Sequence, residues 1–216
     1  MIQMNCSQYL SYVANAAGVI AQNGDYITGL DAVIGDGDHW LNINIGFQKL
    51  LEQSDEFRKS ADFQELFKKL AMTTMSAMGG TSGALYGSAY LSASKILKNV
   101  TSLDDALLAQ VLTSWGEAFM KRGNAQPGDK TMIDAIYPAS KAYSEALGEG
   151  VSSAEALSIM KKAAQEGAES TKDMDAAKGR ASNQPDKGRG HLDPGAVTFS
   201  MQLTCLADYI TENCIA

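Results

Sequence analysis

The stretch Leu107 to Phe119, L-L-A-Q-V-L-T-S-W-G-E-A-F, sets the reading of the whole chain. Leu107, Leu108, Val111, Leu112, Trp115 and Phe119 recur at the three- and four-residue spacing that gathers apolar side chains onto one face of an α-helix. Ala156, Leu157, Met160, Ala163 and Ala164 repeat the pattern further on, while strand-like alternation is nearly absent. Extended outward, the periodicity predicts eight helices, at about 7–23, 40–53, 61–78, 82–98, 103–122, 130–147, 153–173 and 194–213. The expected fold class is all-α, in a single domain over residues 1–216. Helix starts carry capping signals: Thr101 or Ser102, Ser152 or Ser153 ahead of Glu155, and Asp193 ahead of Pro194. Pro138 falls inside the sixth helix, where it removes a backbone hydrogen bond and is expected to kink the rod.

Composition narrows the class of function. The 216 residues are 45% hydrophobic and 20% charged, as in globular rather than disordered chains. A net charge of −7 has the wrong sign for wrapping a phosphate backbone, so no nucleic-acid partner is expected. The longest apolar run, Ala16 to Ala21, falls far short of the ~20 residues that cross a bilayer. Met1 to Leu10 also lacks a signal peptide's basic start and apolar centre. No membrane partner and a cytoplasmic location follow as expectations. Cys6, Cys205 and Cys214 form no C-x-x-C pair, which suits a reducing compartment and packing roles.

The densest polar cluster is Asp31, Gly35, Asp36, Gly37, Asp38, His39, Asn42 and Asn44, after a helix ending near Leu30. Gly35 and Gly37 permit a tight turn, so three carboxylates can converge on one point, where a cation offsets their repulsion. Hard oxygen ligands suggest magnesium or calcium. An EF-hand fails, because Phe47 stands at the twelfth position counted from Asp36, where a bidentate Glu is needed. The alternative is a solvated Asx-rich turn capping the next helix. Gly79 to Gly83, G-G-T-S-G, precedes another helix, whose free amides make an anion site or simply a tight interhelical turn. Neither a Walker loop nor G-x-G-x-x-G is present there. Gly123 to Asp134 contains P-G-D-K-T-M, a turn followed by a cap from Asp129 or Thr131. Residues 175–192 form a long basic loop with Lys178, Arg180, Lys187 and Arg189, the length of a lid, a binding loop or a disordered segment. Arg180 can clamp phosphates bidentately or simply lie on the surface. His39 and His191 lack the spacing of zinc ligands.

The ordered set G-D-G-D-H at 35–39, G-G-T-S-G at 79–83, P-G-D-K-T-M at 127–132, K-G-R-A-S at 178–182 and H-x-D-P-G at 191–195 resembles the nucleotide-binding (DhaL) subunits of dihydroxyacetone kinase. The resemblance spans nearly the whole chain. It implies a closed barrel of eight antiparallel helices that binds ADP or ATP at one mouth through two Mg2+ ions. Carried over by position, Asp31, Asp36 and Asp38 match the metal carboxylates. His39, Leu41 and Asn42 match nucleotide contacts, Thr81 and Ser82 the phosphate loop, and Gly123 and Met132 the border of the base. Arg180 matches the lid arginine, and Asp193, Pro194 and Gly195 the closing turn.

The implied activity is that of a kinase subunit of glycerol metabolism. It carries Mg-ADP, which a DhaM-type phosphotransferase-system partner phosphorylates, and it transfers the phosphoryl group to dihydroxyacetone held on a DhaK-type subunit. Met1 lies a few residues before the first helix with no interdomain linker, which favours this split form over a fused enzyme using ATP. Other readings are an ATP-dependent kinase subunit for another small ketose, and a nucleotide-sensing module with a transcription regulator as partner. Trp40 stands where the family usually has glycine, Thr81 where alanine is common, and N-Q-P-D-K-G-R at 183–189 departs from the usual lid.

Overall fold

The computed structural model describes residues 1–215. Among them the chain forms ten α-helices: α1 Cys6–Gln22, α2 Gly24–Ile34, α3 His39–Glu52, α4 Ser54–Phe57, α5 Phe63–Ala77, α6 Ser82–Ser94, α7 Asp105–Gly123, α8 Ile133–Gly148, α9 Ser153–Ser170 and α10 Pro194–Asn213. The all-α expectation holds, and each of the eight predicted segments contains a helix. Two helices lie outside the eight segments: α2, which runs on from α1 across Asn23 and ends at Ile34 rather than near Leu30, and the single turn α4. Two short strands, β1 Met4–Asn5 and β2 Ser102–Leu103, pair antiparallel, with Met4 opposite Leu103.

Caps fix where the helices begin. Asn5 and Gln8 form a reciprocal capping box on α1. Asp62, Ser152 and Asp193 each accept a hydrogen bond from the amide three residues on. The cap of α7 is Asp104, which receives the Leu107 amide; Ser102 lies in β2 instead. At α8 the Thr131 hydroxyl accepts from Ile133, whereas Asp129 turns back to the Gln126 amide.

Neighbouring helices follow one another in a ring. α1 packs on α3, α3 on α5, α5 on α6, α6 on α7, α7 on α8, α8 on α9, α9 on α10, and α10 on α1 again. α2 lies against α3 and α10. Aromatic rings from six of these helices meet in the interior. Phe67 of α5 makes edge contacts with Phe63 at 5.7 Å and Tyr90 at 5.3 Å, and Phe119 of α7 meets Phe199 of α10 at 5.2 Å. Such pairs contribute about 0.5–1.5 kcal/mol each beyond their burial. Buried hydroxyls in this core are partnered: Tyr86 accepts from the Gln202 amide, and the Tyr9 and Tyr90 hydroxyls meet at 3.4 Å. The three cysteines are free thiols, and burial raises those of Cys6 and Cys205 to about 11, which keeps them protonated.

Glycine sets the tightest helix contact. Pro138, inside α8, has no amide to give the carbonyl of Asp134, and that carbonyl faces Gly167 of α9. A Cβ at Gly167 would lie 2.1 Å from the Asp134 oxygen and 2.9 Å from Pro138 Cγ. Gly167→Ala is therefore expected to cost about 1–3 kcal/mol, the usual range for overpacking. The loss would be read as a lower urea midpoint by circular dichroism, and an unchanged midpoint would show that α9 can move away freely.

Candidate functional site

The site begins in the helix that the periodicity missed. Asp31 lies in the last turn of α2 and is only 6% exposed. The Gly35 amide closes that turn on the Asp31 carbonyl at 2.6 Å. Glycine at 35 leaves room for the carboxylate, because a Cβ there would sit 2.1 Å from Asp31 Oδ1 and displace it. Gly37, at φ +76°, then reverses the chain into α3. As a result Asp31, Asp36 and Asp38 present carboxylate oxygens within 4.8 Å of one another.

A capping role accounts for only one of the three carboxylates, Asp31. Asp38 occupies the N-cap position of α3, yet its side chain makes no capping hydrogen bond. It is Asp31 from the preceding helix that receives the His39 amide, at 3.0 Å. Three carboxylates packed this closely repel one another unless a cation lies between them, and an all-oxygen set suits a hard divalent ion. One cation already reaches the cluster: Arg180 Nε meets Asp36 Oδ2 at 2.8 Å. Both partners are well exposed, so the pair itself adds little stability, about 0–1 kcal/mol.

The glycine loop lies beside α3. A Cβ at Gly79 would fall 2.0 Å from Asn42 Oδ1, so the loop backbone rides directly over the first turn of α3. Gly80 takes φ +58°, and α6 starts at Ser82 behind Thr81, whose side chain makes no cap. The first amides of α6 thus lack a side-chain cap and point out of a helix start. Gly83 has a packing role, since a Cβ would meet the Met78 and Thr74 carbonyls at 2.5 and 2.9 Å. The tight interhelical turn expected of G-G-T-S-G is thus realised at Gly83.

On the other side, Gly195 lies against Asp193 and Met132, its Cβ position 3.0 Å from Asp193 Oδ2 and 3.8 Å from Met132 Cβ. Asp193 caps α10 through the Ala196 amide, at 2.7 Å, behind Pro194 at the first helical position. Thr198 ties α10 to the cluster, its hydroxyl 3.0 Å from His39 Nε2. Burial lowers the His39 pKa, partly offset by Asp31 and Asp38, so the ring favours its neutral form. Gly123, at the end of α7, abuts Leu85 of α6, and the Leu41 side chain is half exposed on α3.

The 175–192 segment is ordered by its own contacts, more than its composition suggests. Short 3₁₀ turns occupy Thr171–Asp173 and Arg180–Asn183. Ala176 and Ala181 pack with Ile34 of α2 in a small apolar cluster, and Gly188 approaches Ile34 so closely that a Cβ would lie 3.2 Å away. Arg189 pairs with Asp175 at 2.8 Å. Trp40 covers the junction of α1 and α2: its indole donates to the Ile20 carbonyl at 3.0 Å and lies over Gly24.

Sequence reasoning gave no role to Lys130, Asp134, Thr171 and Thr198. Asp134 is buried and accepts the Gly128 and Thr131 amides, shaping the P-G-D-K-T-M turn. Only its position just after that motif hinted at it. Thr198 carries no motif signal at all.

The ring of helices, the acidic turn between α2 and α3, the uncapped start of α6 and an arginine beside the acidic cluster together define the class of helical protein to which this chain is compared. This chain belongs to the DAK2 domain family, whose model matches residues 33–208. It is 34% identical over 208 residues to the ADP-binding subunit DhaL of the PEP-dependent dihydroxyacetone kinase of Escherichia coli K12, covering 95% of this chain and 99% of that one. A second DhaL subunit, from the PEP-dependent dihydroxyacetone kinase 2 of Listeria innocua, is 35% identical and covers 96% and 94%. The fold matches the crystal structure of the dihydroxyacetone kinase of C. freundii in its native form, with TM-score 0.73, 23% identity, and 96% of this chain against 36% of that one. The same enzyme in complex with AMP-PNP and Mg2+ gives TM-score 0.68 at 24% identity, over 92% and 33%.

Asp193 provides a test of the site's electrostatics. Burial raises its carboxyl to about 7, with Lys130 and the Ala196 amide acting against the rise. Below about pH 4 the group is protonated whether the chain is folded or not; between there and about 7 only the unfolded chain ionises. Metal-free protein should therefore lose stability as pH climbs through that window. Asp193→Asn, which keeps a capping oxygen, should lack this part of the slope, measured as urea midpoints at pH 5 and pH 7.5.

Proposed function

We propose that this chain is the nucleotide-carrying subunit of a ketose kinase of the dihydroxyacetone kinase type. It holds magnesium-ADP, receives a phosphoryl group from a DhaM-type phosphotransferase-system partner, and delivers it to dihydroxyacetone carried on a DhaK-type subunit. The observation that carries this reading is the convergence of Asp31, Asp36 and Asp38 within 4.8 Å, although only Asp31 bonds an α3 amide and the N-cap residue Asp38 makes no capping bond. The two relatives named ADP-binding subunits of PEP-dependent kinases, matched over nearly their full length, support the donor and acceptor assignments. The ring of helix contacts supports reading the fold as a closed barrel of eight antiparallel helices, with α2 and α4 as additions to it.

Phosphoryl transfer asks a protein mainly for positioning and for neutralisation of charge on phosphate oxygens. When bound, magnesium-ADP supplies the phosphoryl carrier and the metal charge. The chain supplies the rest. Asp31, oriented by the His39 amide, works with Asp36 and Asp38 to hold two Mg2+ ions. Thr81, Ser82 and the first amides of α6 take the phosphates at the positive end of the helix dipole. His39, Leu41 and Asn42 line the start of α3, and Gly123 and Met132 border the base. Asp193, Pro194 and Gly195 close the site against Met132. Arg180, already at Asp36, is the cation this reading assigns to the phosphate oxygens.

The test is to desalt the purified chain in magnesium, denature it and quantify released nucleotide by chromatography. Stoichiometric ADP is expected, and Asp36→Ala should abolish its retention while leaving the helical circular dichroism unchanged. Retention that survives this substitution would refute the carboxylate assignment. Binding of added ATP without retained ADP would replace the retained-cofactor scheme with an exchanging kinase.

A further inference from the structure

Lys130 is the least expected residue of the fold. It lies between α7 and α8, is 1% exposed, and holds its backbone at φ +60°, a left-handed conformation that L side chains other than Asn and Asp rarely take. Asp134 locks that conformation by accepting the amides on either side, from Gly128 and Thr131. The unusual backbone aims the ammonium group inward, where it donates to two carbonyls, those of Thr171 and His191. These two residues bracket the basic lid. Beside them the lid root is closed by Gly190 N–H to the Lys172 carbonyl at 2.8 Å and by Asp193 N–H to the Thr171 hydroxyl at 2.9 Å. Asp129, next in sequence to Lys130, receives the Ala177 amide of the lid at 3.1 Å.

A buried ammonium is costly, and an aliphatic side chain would fill the same space without that cost. Burial indeed pushes the Lys130 pKa down, against the pull of Asp193 and Asp175. What the charge provides is a further tie between two backbone segments 20 residues apart along the chain, added to the Gly190–Lys172 and Asp193–Thr171 bonds at the lid root. The lid carries Arg180 at its far side, 2.8 Å from Asp36.

We infer that Lys130 is a positioning residue: by clamping the carbonyls at both ends of the lid it fixes where Arg180 meets the acidic cluster, and so slows the departure of bound nucleoside diphosphate. The inference rests on the nucleotide reading above for its ligand, while the clamp itself stands on the hydrogen bonds. Lys130 touches neither the acidic cluster nor the glycine loop. It acts through Arg180.

The experiment uses the full chain with Lys130→Met, which keeps the side-chain length and removes the donor. Without nucleotide, trypsin should cut the lid at Lys178, Arg180, Lys187 or Arg189 at least about tenfold faster, equivalent to ~1.4 kcal/mol of lost closure. With magnesium, ADP chased by excess unlabelled ADP should leave faster by a similar factor, while the thermal midpoint of the helices stays close to that of the parent chain. In an Arg180→Ala background Lys130→Met should add little to ADP release yet still expose the lid to trypsin, which a merely structural defect would not do. Thr171→Val, which removes the hydroxyl at the lid root, should give the same lid cleavage if Lys130→Met fails to fold. Unchanged lid cleavage overturns the clamp, and additive effects with Arg180→Ala overturn its action through Arg180. A parent chain that binds no ADP refutes the nucleotide reading, and the trypsin result still decides the clamp.

Discussion

Holding three negative charges within 4.8 Å of one another is the constraint on which the rest of this structure depends. Carboxylates do not gather unaided, so each must be fixed by something stronger than their repulsion. Asp31 is fixed by its place in the last turn of α2 and by the His39 amide. Asp36 and Asp38 are fixed by a two-glycine turn in which a Cβ at position 35 would displace the Asp31 carboxylate. That turn holds its shape because α2 packs on α3 and α10, which belong to the ring of helices around the aromatic core. Packing energy from Phe67, Trp115 and Phe199 is thereby converted into the geometry of a charged site some helices away.

The same economy recurs on the opposite wall. The P-G-D-K-T-M turn looks polar and exposed in sequence, yet it is an internal brace: Asp134 and Lys130 are both buried and both satisfied by backbone groups. Burying two ionisable side chains to shape loops, rather than to contact a ligand, is affordable only where every donor and acceptor is matched.

Much of this was legible in the chain itself. Periodic apolar residues with clear caps, as in α7 and α9, announced their helices, and the Asp and Gly clusters announced where chemistry gathers. α2 was not legible as a separate helix, because Gly24, Asp25, Thr28 and Gly29 dilute its apolar face and Asn23 hardly interrupts the helix before it. Ser102 looked like a cap but was drawn into β2, leaving the role to Asp104. The lid read as structureless because its order comes from partners far away in sequence: Ile34, Asp129 and Lys130. Local propensity carries no information about such contacts, so the basic residues between 175 and 192 could be counted but not placed.

The fold accommodates the large ring of Trp40 over Gly24, with the indole bonded to the Ile20 carbonyl. The chain has only two tryptophans, and they are divided between its two regions. Trp115 sits in the aromatic interior, while Trp40 is adjacent to His39, at the rim of the acidic turn. The molecule thus carries its own pair of chromophores, one recording the integrity of the core and the other what happens at the charged rim.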